Sequence, residues 1–286
     1  MDAPEALTAA RSFTAAQVAA FAEGRPWECF GETHFWTKTH TRTPSIQSGD
    51  MLFLKDVTAF EPKGGPWKRG YLKVEVDISP DDWFFEGHFK NDPCMPGTLM
   101  FEGCLQAMAF YLAALGFTCD RDGWRFQPVT GVAYPLRCRG QVTPTSKKLT
   151  YEIFVEEVIG GPNPTLFADL LCTVDGLKAF HARGMGLEMV PDWPMTSRPK
   201  LVEEIAAIDA ASGPVATDAE GFPFDYASLM ACAWGRPSQA FGSMYTPFDG
   251  HRRVARLPGP PYHFMSRVTR IAVSYTHLRA HETVRN

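Results

Sequence analysis

The chain has 286 residues, of which 45% are hydrophobic and 21% charged, and a formal net charge of -4. This length and composition suit one large or two modest globular domains. A slightly acidic chain gives no reason to expect nucleic acid or an anionic membrane as a partner. None of the seven cysteines belongs to a CxxC pair, which argues against a zinc site or a disulfide framework and indicates free thiols in the cytoplasm.

Residues 1–48 predict a short helix followed by a loop. They lack the basic start and the continuous apolar core of a signal peptide. In the segment TAAQVAAFAEG, Thr14 and Gln17 have the spacing of a capping box, and Gly24 predicts the helix end. The loop RPWECFG follows. We expect this segment to lead into a complete folded unit at residues 49–190.

From Met51 onward the pattern changes to that of strands and turns. Apolar residues alternate along YLKVEVDI, which indicates a strand with one apolar face. The turns GGPNP and DG favour antiparallel neighbours. Further strands are predicted at residues 129–137, 149–158, 165–174 and 177–190.

The stretch from Gly97 to Gly116 predicts a helix that is apolar on nearly every side. Its only carboxylate is Glu102, and Thr98, Glu102 and Gln106 form a polar stripe because they are spaced by four. A buried acid is costly unless it is paired or does chemistry, so we expect the stripe to face a substrate. The run is too short and too polar to span a membrane.

The loop before this helix carries a second set of polar groups. Pro96 suits the first turn, because proline lacks the amide hydrogen that would be unpaired there. Gly97 allows a ligand or another backbone to approach the first amides, which favour negative charge together with the helix dipole. His88 lies in the same loop. The sequence therefore places an imidazole and a helix N-terminus just before a solitary acid.

The segment HFKNDPCMPGTLMFEGCLQ resembles the HFxxxPxMPG signature of the 3-hydroxyacyl-acyl carrier protein dehydratases. In that signature an acid follows the histidine by fourteen positions and a glutamine follows the acid by four, which matches His88, Glu102 and Gln106. The resemblance covers about residues 68–190 and is greatest to the 3-hydroxydecanoyl dehydratase branch and to dehydratase domains of polyunsaturated fatty acid and polyketide-type synthases. That branch has aspartate at the position of Glu102, so the resemblance does not imply double-bond isomerisation.

The resemblance implies an α+β fold of the hot-dog type, a curved antiparallel sheet wrapped around a long central helix. It also implies a hydro-lyase that converts 3-hydroxyacyl thioesters on acyl carrier protein into trans-2-enoyl thioesters, in fatty acid or polyketide-type biosynthesis. We expect no metal and no bound cofactor, since the phosphopantetheine arm arrives with the substrate.

Loss of water from such a thioester needs a base for the C2 proton, an acid for the departing hydroxyl and donors for the thioester oxygen. We assign the base to His88, the acid to Glu102 and the oxygen donor to the backbone N–H of Gly97. Gln106 would support Glu102. The residues expected to line the substrate tunnel are Phe89, Met95 and Pro96.

The family resemblance implies two partners, the acyl carrier protein and a second hot-dog unit. Enzymes of this family pair two units, and the histidine of one works with the acid of the other. Arg137, Arg139, Lys147 and Lys148 form a basic cluster around a loop. This cluster is either a docking site for the carrier protein or its phosphate, or a solvated surface.

An internal repeat predicts the truncated start of a second unit. AEGRPWECFG returns as AWGRPSQAFG, and Phe53 returns as Phe264; the offset is constant, since 235 − 24 and 264 − 53 both equal 211. Residues 225–273 are therefore expected to repeat 14–62. The counterparts of His88 and Glu102 would lie beyond the last residue. Activity would then require two copies to pair through the complete unit, which leaves the partial unit as exposed apolar surface, so we expect weak activity or poor solubility.

The remaining segments are expected to carry no site. Residues 191–224 predict a Pro-rich linker with a short helix from about Lys200. Residues 274–286 resemble a translated sequencing-adaptor sequence and are expected to be non-native. We do not expect metal ligation or catalysis from the other histidines considered, which are His181, His251, His263, His277 and His281.

Two other functions stay open. A hot-dog thioesterase would use an acid to activate water and would release a free fatty acid, without needing the HFxxxPxMPG loop. A non-catalytic acyl-binding or scaffold unit of a megasynthase would keep the fold without the chemistry. The retained His88 and Glu102 argue against the second alternative.

Overall fold

The computed structural model describes residues 5–191, 214–250, 255–259 and 262–272. The chain divides into two compact units, the first made of Met1–Phe85 and Cys94–Ser197, the second of Glu86–Pro93 and Arg198–Asn286. Most of the predicted linker, the helix expected from Lys200 and the tail with His277 and His281 lie outside the described residues, as does His251.

Within the described residues, the first unit contains a seven-stranded antiparallel sheet. The strand order is β1-β2-β5-β6-β7-β3, and β4 pairs with β7 beside this path. The strands are β1 Asp56–Glu61, β2 Tyr71–Asp77, β3 Trp124–Pro128, β4 Leu136–Cys138, β5 Lys148–Ile159, β6 Thr165–Val174 and β7 Leu177–Pro191.

The predicted hairpins of this sheet are confirmed. β5 pairs with β6 from Leu149 opposite Val174 onward, and β6 turns directly into β7. The turn consists of Asp175 and Gly176, whose φ angles of 49° and 81° suit a tight two-residue connection. The DG pair in the sequence is therefore the local cause of this antiparallel pairing.

One strand prediction is wrong. Of the predicted strand at 129–137, residues 129–135 form an irregular segment between β3 and β4, and only 136–137 belong to a strand, β4. Pro128 and Pro135 flank the segment and Gly131 has a φ angle of 76°. Proline cannot donate a hydrogen bond to a neighbouring strand, so pairing with β7 is interrupted here.

The helices of the first unit are α1 Ala15–Ala22, α2 Pro26–Phe30 and α4 Gly97–Ala114. A short helix α3 covers Phe84–Gly87, and 3-10 turns cover Glu32–Thr39 and Gly49–Met51. The capping box at α1 is confirmed, because Thr14 accepts from the Gln17 amide and Gln17 accepts from the Thr14 amide.

α4 is the centre of the first core, as its composition predicts. Phe110 packs against Phe13, Phe21 and Phe30 with ring centroids 5.1, 5.7 and 5.1 Å away. On the opposite flank, Tyr111 contacts Phe60 of β1 at 5.3 Å. The helix is thus covered by the sheet and by the N-terminal segment, which explains why it has almost no polar face. Among the described residues, no helix is long and apolar enough to cross a membrane.

The second unit contains α5 Tyr226–Trp234, α6 Pro237–Phe241 and a 3-10 turn at Ser243–Phe248. The α5 helix begins at Asp225, whose side chain accepts a hydrogen bond from the Ser228 amide at 3.0 Å. The prediction that 225–273 starts a second hot-dog unit is supported by these local elements and stays a prediction for the unit as a whole.

Candidate active site

Gln106 connects α4 to the segment before β1. Its side-chain oxygen accepts a hydrogen bond from the Phe53 amide at 2.9 Å, and its nitrogen donates to the Met51 carbonyl at 2.7 Å. An amide N–H can only donate and a carbonyl can only accept, so these contacts determine the orientation of the Gln106 amide. The same nitrogen donates to Oε1 of Glu102 at 3.1 Å. Gln106 therefore contacts Glu102 directly, and its role in supporting that acid stays a prediction.

Glu102 itself is less buried than its apolar surroundings predict. It is half-buried and lines a cavity of about 340 Å³. The reason is that one side of α4 faces Ile46, Phe126 and Leu187 across open space. Oε2 of Glu102 has no hydrogen-bond partner among the described residues. An acid that lines a cavity of ligand size and has one oxygen without a hydrogen-bond partner among the described residues is suited to proton transfer.

The N-terminus of α4 is formed by Pro96 and Gly97. No side chain caps this end, so the first amides are not used by a capping group. A Cβ atom at Gly97 would lie 2.8 Å from Sγ of Cys138, a neighbour that only glycine allows at this distance. The sequence predicts that Gly97 allows a ligand or another backbone to approach, and the group that approaches it here is the side chain of Cys138 in β4. The helix end retains the amide groups expected to bind an oxyanion.

Met95 lines a second cavity of about 200 Å³ in the first unit. Its backbone is held by a hydrogen bond from the Met95 amide to the Val142 carbonyl at 2.9 Å. Its wall includes Phe53, Phe84 and Leu149 together with four charged residues, so only its apolar side is suited to an alkyl chain. Pro96, in contrast, is buried at the helix start and lines neither cavity.

Tyr151 also lines this second cavity, and the sequence analysis did not identify it. It lies on the inner face of β5, and its ring and hydroxyl pack against Gly103, where a Cβ atom would be 2.6 Å from the hydroxyl oxygen. The hydroxyl has no hydrogen-bond partner among the described residues. Burial raises the pKa of Tyr151 well above its usual value, so the phenol is neutral. Strand alternation predicts an inward side chain here, but no motif marks it.

His88 and Phe89 lie in the loop that belongs to the second compact unit. The imidazole stacks on the Phe89 ring at 4.1 Å and meets the Tyr262 ring edge at 5.8 Å. Within this unit the Gly259 amide donates to the Gly87 carbonyl at 2.8 Å. The structure thus brings Glu102 and Gln106 together on the helix that Gly97 begins. The joint action of His88 with Glu102 stays a prediction.

The other described histidines have structural or surface settings. His34 is buried, and its Nε2 lies 2.9 Å from the Ala113 carbonyl of α4; burial lowers its pKa despite that hydrogen bond. Nδ1 of His263 lies 3.1 Å from the Pro258 carbonyl. Among the residues that the structure describes, no group of histidine, cysteine and acidic side chains could hold a metal ion.

Comparison with known proteins identifies part of this chain. Residues 46–183 match the family model described as a FabA-like domain. Three solved structures show distant similarity. A chain of the dehydratase heterocomplex ApeI:P from Xenorhabdus doucetiae is 13% identical, with 56% of this chain and 92% of that chain covered and a TM-score of 0.34.

The other two structures are thioesterase-related. A hypothetical thioesterase from Streptococcus pneumoniae TIGR4, solved with coenzyme A, is 14% identical, with coverage of 44% and 82% and a TM-score of 0.29. A hypothetical Thermus thermophilus protein of the thioesterase superfamily is 11% identical, with coverage of 50% and 94% and a TM-score of 0.33. Similarity at this level does not separate a dehydratase from a thioesterase. Residues 46–183 thus match a FabA-like domain, and the antiparallel sheet around α4 has the architecture of the hot-dog fold.

Proposed function

We propose that the protein dehydrates 3-hydroxyacyl thioesters, carried on an acyl carrier protein, to trans-2-enoyl thioesters. The observation that carries the proposal is the position of Glu102, which lines a cavity of about 340 Å³ with Gln106 beside it inside a FabA-like domain. The match to the dehydratase signature supports the assignment of the reaction. The biosynthetic pathway and the carrier protein are part of the proposal.

Glu102 is proposed as the acid. Gln106 donates to Oε1, so Oε2 is the oxygen that can carry a proton into the cavity. In the reaction, the base removes the C2 proton and an enolate forms. The C3–O bond then breaks, the hydroxyl leaves as water with the proton from Glu102, and a C2–C3 double bond remains. Proton exchange with solvent returns both groups to their starting states.

The amide of Gly97 is proposed to bind the thioester oxygen as negative charge develops. It lies in the first turn of an uncapped helix, where the amide groups and the helix dipole favour an anion. Donors of this kind contribute about 10²- to 10³-fold to the rate in other acyl-transfer sites. The cavity beside Met95 is proposed to hold the acyl chain. Phe89 and Pro96 stay predicted tunnel residues.

His88 is proposed as the base, acting with the Glu102 of a paired unit. The partner unit would be a second copy of this chain, or a further unit of a longer polypeptide. A C2-symmetric pair would form two equivalent sites. Gel filtration at increasing protein concentration tests this pairing, because activity should follow the dimer. A fully active monomer would contradict it.

The central experiment supplies a 3-hydroxyacyl thioester and follows the absorbance of the enoyl product. Glu102→Gln and His88→Ala are each expected to lower kcat by about 10²- to 10⁴-fold, since each removes a group that transfers a proton. Glu157→Gln and His40→Ala, at positions away from these groups, serve as matched controls and should retain the wild-type rate. Full activity in Glu102→Gln and His88→Ala would refute the assignment. Release of free acid without enoyl product would identify the thioesterase alternative.

A further inference from the structure

A basic patch lies on the first unit where β4 pairs with β7. It consists of Arg137, Arg139, Lys178, His181 and Arg183. Arg137 is the direct cross-strand partner of His181. The Arg139 amide donates to the Ala179 carbonyl at 2.9 Å, and the Arg183 amide donates to the Pro135 carbonyl at 3.2 Å. The backbone pairing of β4 and β7 therefore determines the spacing of the patch.

Strand geometry places most of these side chains on one face. Residues directly opposite each other in an antiparallel pair lie on the same side of the sheet, as do residues two apart along a strand. Arg137 and His181 are opposite, Arg139 follows Arg137 by two, and Arg183 follows His181 by two. The three arginines and Lys178 are exposed.

The patch has a surplus of positive charge. Burial is the largest cause that lowers the pKa of His181, and the positive charge of the four cations of the patch lowers it further. Within the described residues, none of these four cations forms an ion pair. The carboxylate of Asp169 on β6 accepts a hydrogen bond from the backbone amide of Gly184 at 3.0 Å and forms no ion pair with these cations within the described residues. Like charges held together without counter-charges favour an anionic partner.

The predicted basic cluster is corrected by this arrangement. Lys148 belongs elsewhere, because its Nζ lies 3.0 Å from Glu75 and 3.8 Å from Asp77 across the β2–β5 pair. Lys178, His181 and Arg183 replace it, since β7 brings them beside β4.

The basic patch and the N-terminus of α4 lie at the same part of β4, on opposite faces of the sheet. Cys138 lies between Arg137 and Arg139 in β4, and its Sγ packs against Gly97. Because successive side chains of a strand point to opposite faces, the two arginines point away from Gly97. From Lys178 to Arg183 the strand extends roughly 15 Å, at about 3.3 Å per residue. That span fits the acidic surface of a protein better than a single phosphate group.

We propose that the basic patch docks the acidic face of the acyl carrier protein, whose pantetheine arm then passes around the edge of the sheet to the first turn of α4. This inference rests on the proposed function and adds to it the residues that recognise the partner. Attraction between opposite charges raises the association rate by about 10- to 10³-fold at low ionic strength. The effect should weaken as salt screens the charges.

The test uses one 3-hydroxyacyl group on three carriers: the acyl carrier protein, coenzyme A and N-acetylcysteamine. The double variant Lys178→Glu/Arg183→Glu changes two exposed residues that do not neighbour Cys138 in sequence. It is expected to lower kcat/KM at least tenfold for the carrier protein substrate. It should leave the N-acetylcysteamine thioester unaffected. The loss should shrink at high salt.

Two further variants serve as a control and as a milder replacement. Lys63→Glu/Lys68→Glu, between β1 and β2 at the opposite edge of the sheet, reverses the same amount of charge and should leave all three substrates unchanged. Lys178→Gln/Arg183→Gln should give a smaller loss of the same kind and replaces the charge-reversal variant if that one does not fold.

Three outcomes would overturn the proposal. The first is an unchanged kcat/KM of the charge-reversal variant with the carrier protein substrate. The second is a loss with the coenzyme A thioester as large as that with the carrier protein, which would indicate a phosphate site. The third is the same loss with all three substrates. Failure of the proposed function has a different signature, since the wild-type protein would then form no enoyl product from any substrate. In that case titration of fluorescently labelled holo-carrier protein still tests docking, because its binding to wild type should be lost in the charge-reversal variant.

Discussion

The two copies of the internal repeat have the same local structure and very different surroundings. In the first copy the Val18 amide donates to Thr14 at 3.0 Å, and in the second the Leu229 amide donates to Asp225 at 3.1 Å. Gly31 and Gly242 have φ angles of 88° and 90°. All these pairs keep the offset of 211 residues, so caps, turns and short helices are encoded locally in both copies.

The copies also share one contact between distant residues. The Val57 amide donates to the Phe13 carbonyl at 2.9 Å, and the Val268 amide donates to the Phe224 carbonyl at 3.0 Å. Both positions are again separated by 211. The second copy thus reproduces the chain path that leads into β1 of the first, which supports the predicted duplication.

The two copies of the repeat differ in how deeply their matched phenylalanines are buried. Phe30 is 4% exposed and its counterpart Phe241 is 37% exposed, while Phe53 is 5% and its counterpart Phe264 is 87% exposed. The first copy closes over Phe110 of α4. Among the described residues of the second unit, no helix corresponds to α4. An apolar pattern therefore becomes a core only where a second apolar element covers it.

The largest expected difference between the copies is the cost of removing one phenylalanine. Phe30→Ala should lower the free energy of unfolding by about 3–5 kcal/mol, because it leaves a cavity against Phe110. Phe241→Ala, the matched change in the second copy, should cost under about 1 kcal/mol because its ring is partly solvated. Urea denaturation followed by circular dichroism compares the two. Equal costs would show that the second copy has a covered core of its own.

A smaller effect is expected at Gln106, which ties the first copy to α4. Gln106→Leu leaves the Phe53 amide and the Met51 carbonyl without their partner. Buried groups that lose a hydrogen bond cost about 1–3 kcal/mol. Gln127→Leu, which removes a bond to Glu188 within the β3–β7 pair, should change stability by less than about 0.5 kcal/mol. The two variants are compared by thermal denaturation, and similar melting temperatures would rule out the role assigned to Gln106.

The smallest expected effect is a pH dependence confined to the first copy. Burial lowers the pKa of His34 in the folded state, so the unfolded state binds a proton more readily. Stability from this residue is therefore fully present above the unfolded pKa of about 6.5 and declines as the pH falls below it.

The variant His34→Gln should have a flatter stability profile between pH 5 and pH 7.5, measured as the urea midpoint at each pH. The counterpart of His34 is Tyr245, which does not titrate in this range, so Tyr245→Phe is the matched control and should keep the wild-type slope. An unchanged slope in His34→Gln would show that another group carries the dependence.

Much of the fold follows from short sequence patterns. The capping box at Thr14, the DG turn at Asp175 and the start of α4 at Gly97 lie where their residue types predict them. Each depends on residues within a few positions, so local chemistry is sufficient. The prolines around 129–135 were local signals too, and giving them more weight would have predicted the break between β3 and β4.

The contact between Glu102 and Gln106 was predictable from the sequence, but the surroundings of these two residues were not. The spacing of Glu102 and Gln106 placed them on one stripe of α4, and their hydrogen bond confirms that geometry. The cavity beside Glu102 depends on side chains from β3 and β7, such as Phe126 and Leu187. Tyr151 belongs to β5 and reaches Gly103 only because the sheet closes over the helix. A local sequence pattern cannot predict these contacts, because they join residues that are far apart in the chain.

The sequence by itself determined the caps, the turns, the apolar helix and the constant offset of the repeat, because each is an interaction between near neighbours or a direct comparison of residues. Only the tertiary structure decided which copy of the repeat is buried, that Glu102 lines a cavity and which cations form a patch with Arg137. The physical reason is that burial and charge clustering depend on which distant segments meet, and Phe30 and Phe241 show that one pattern can have either outcome.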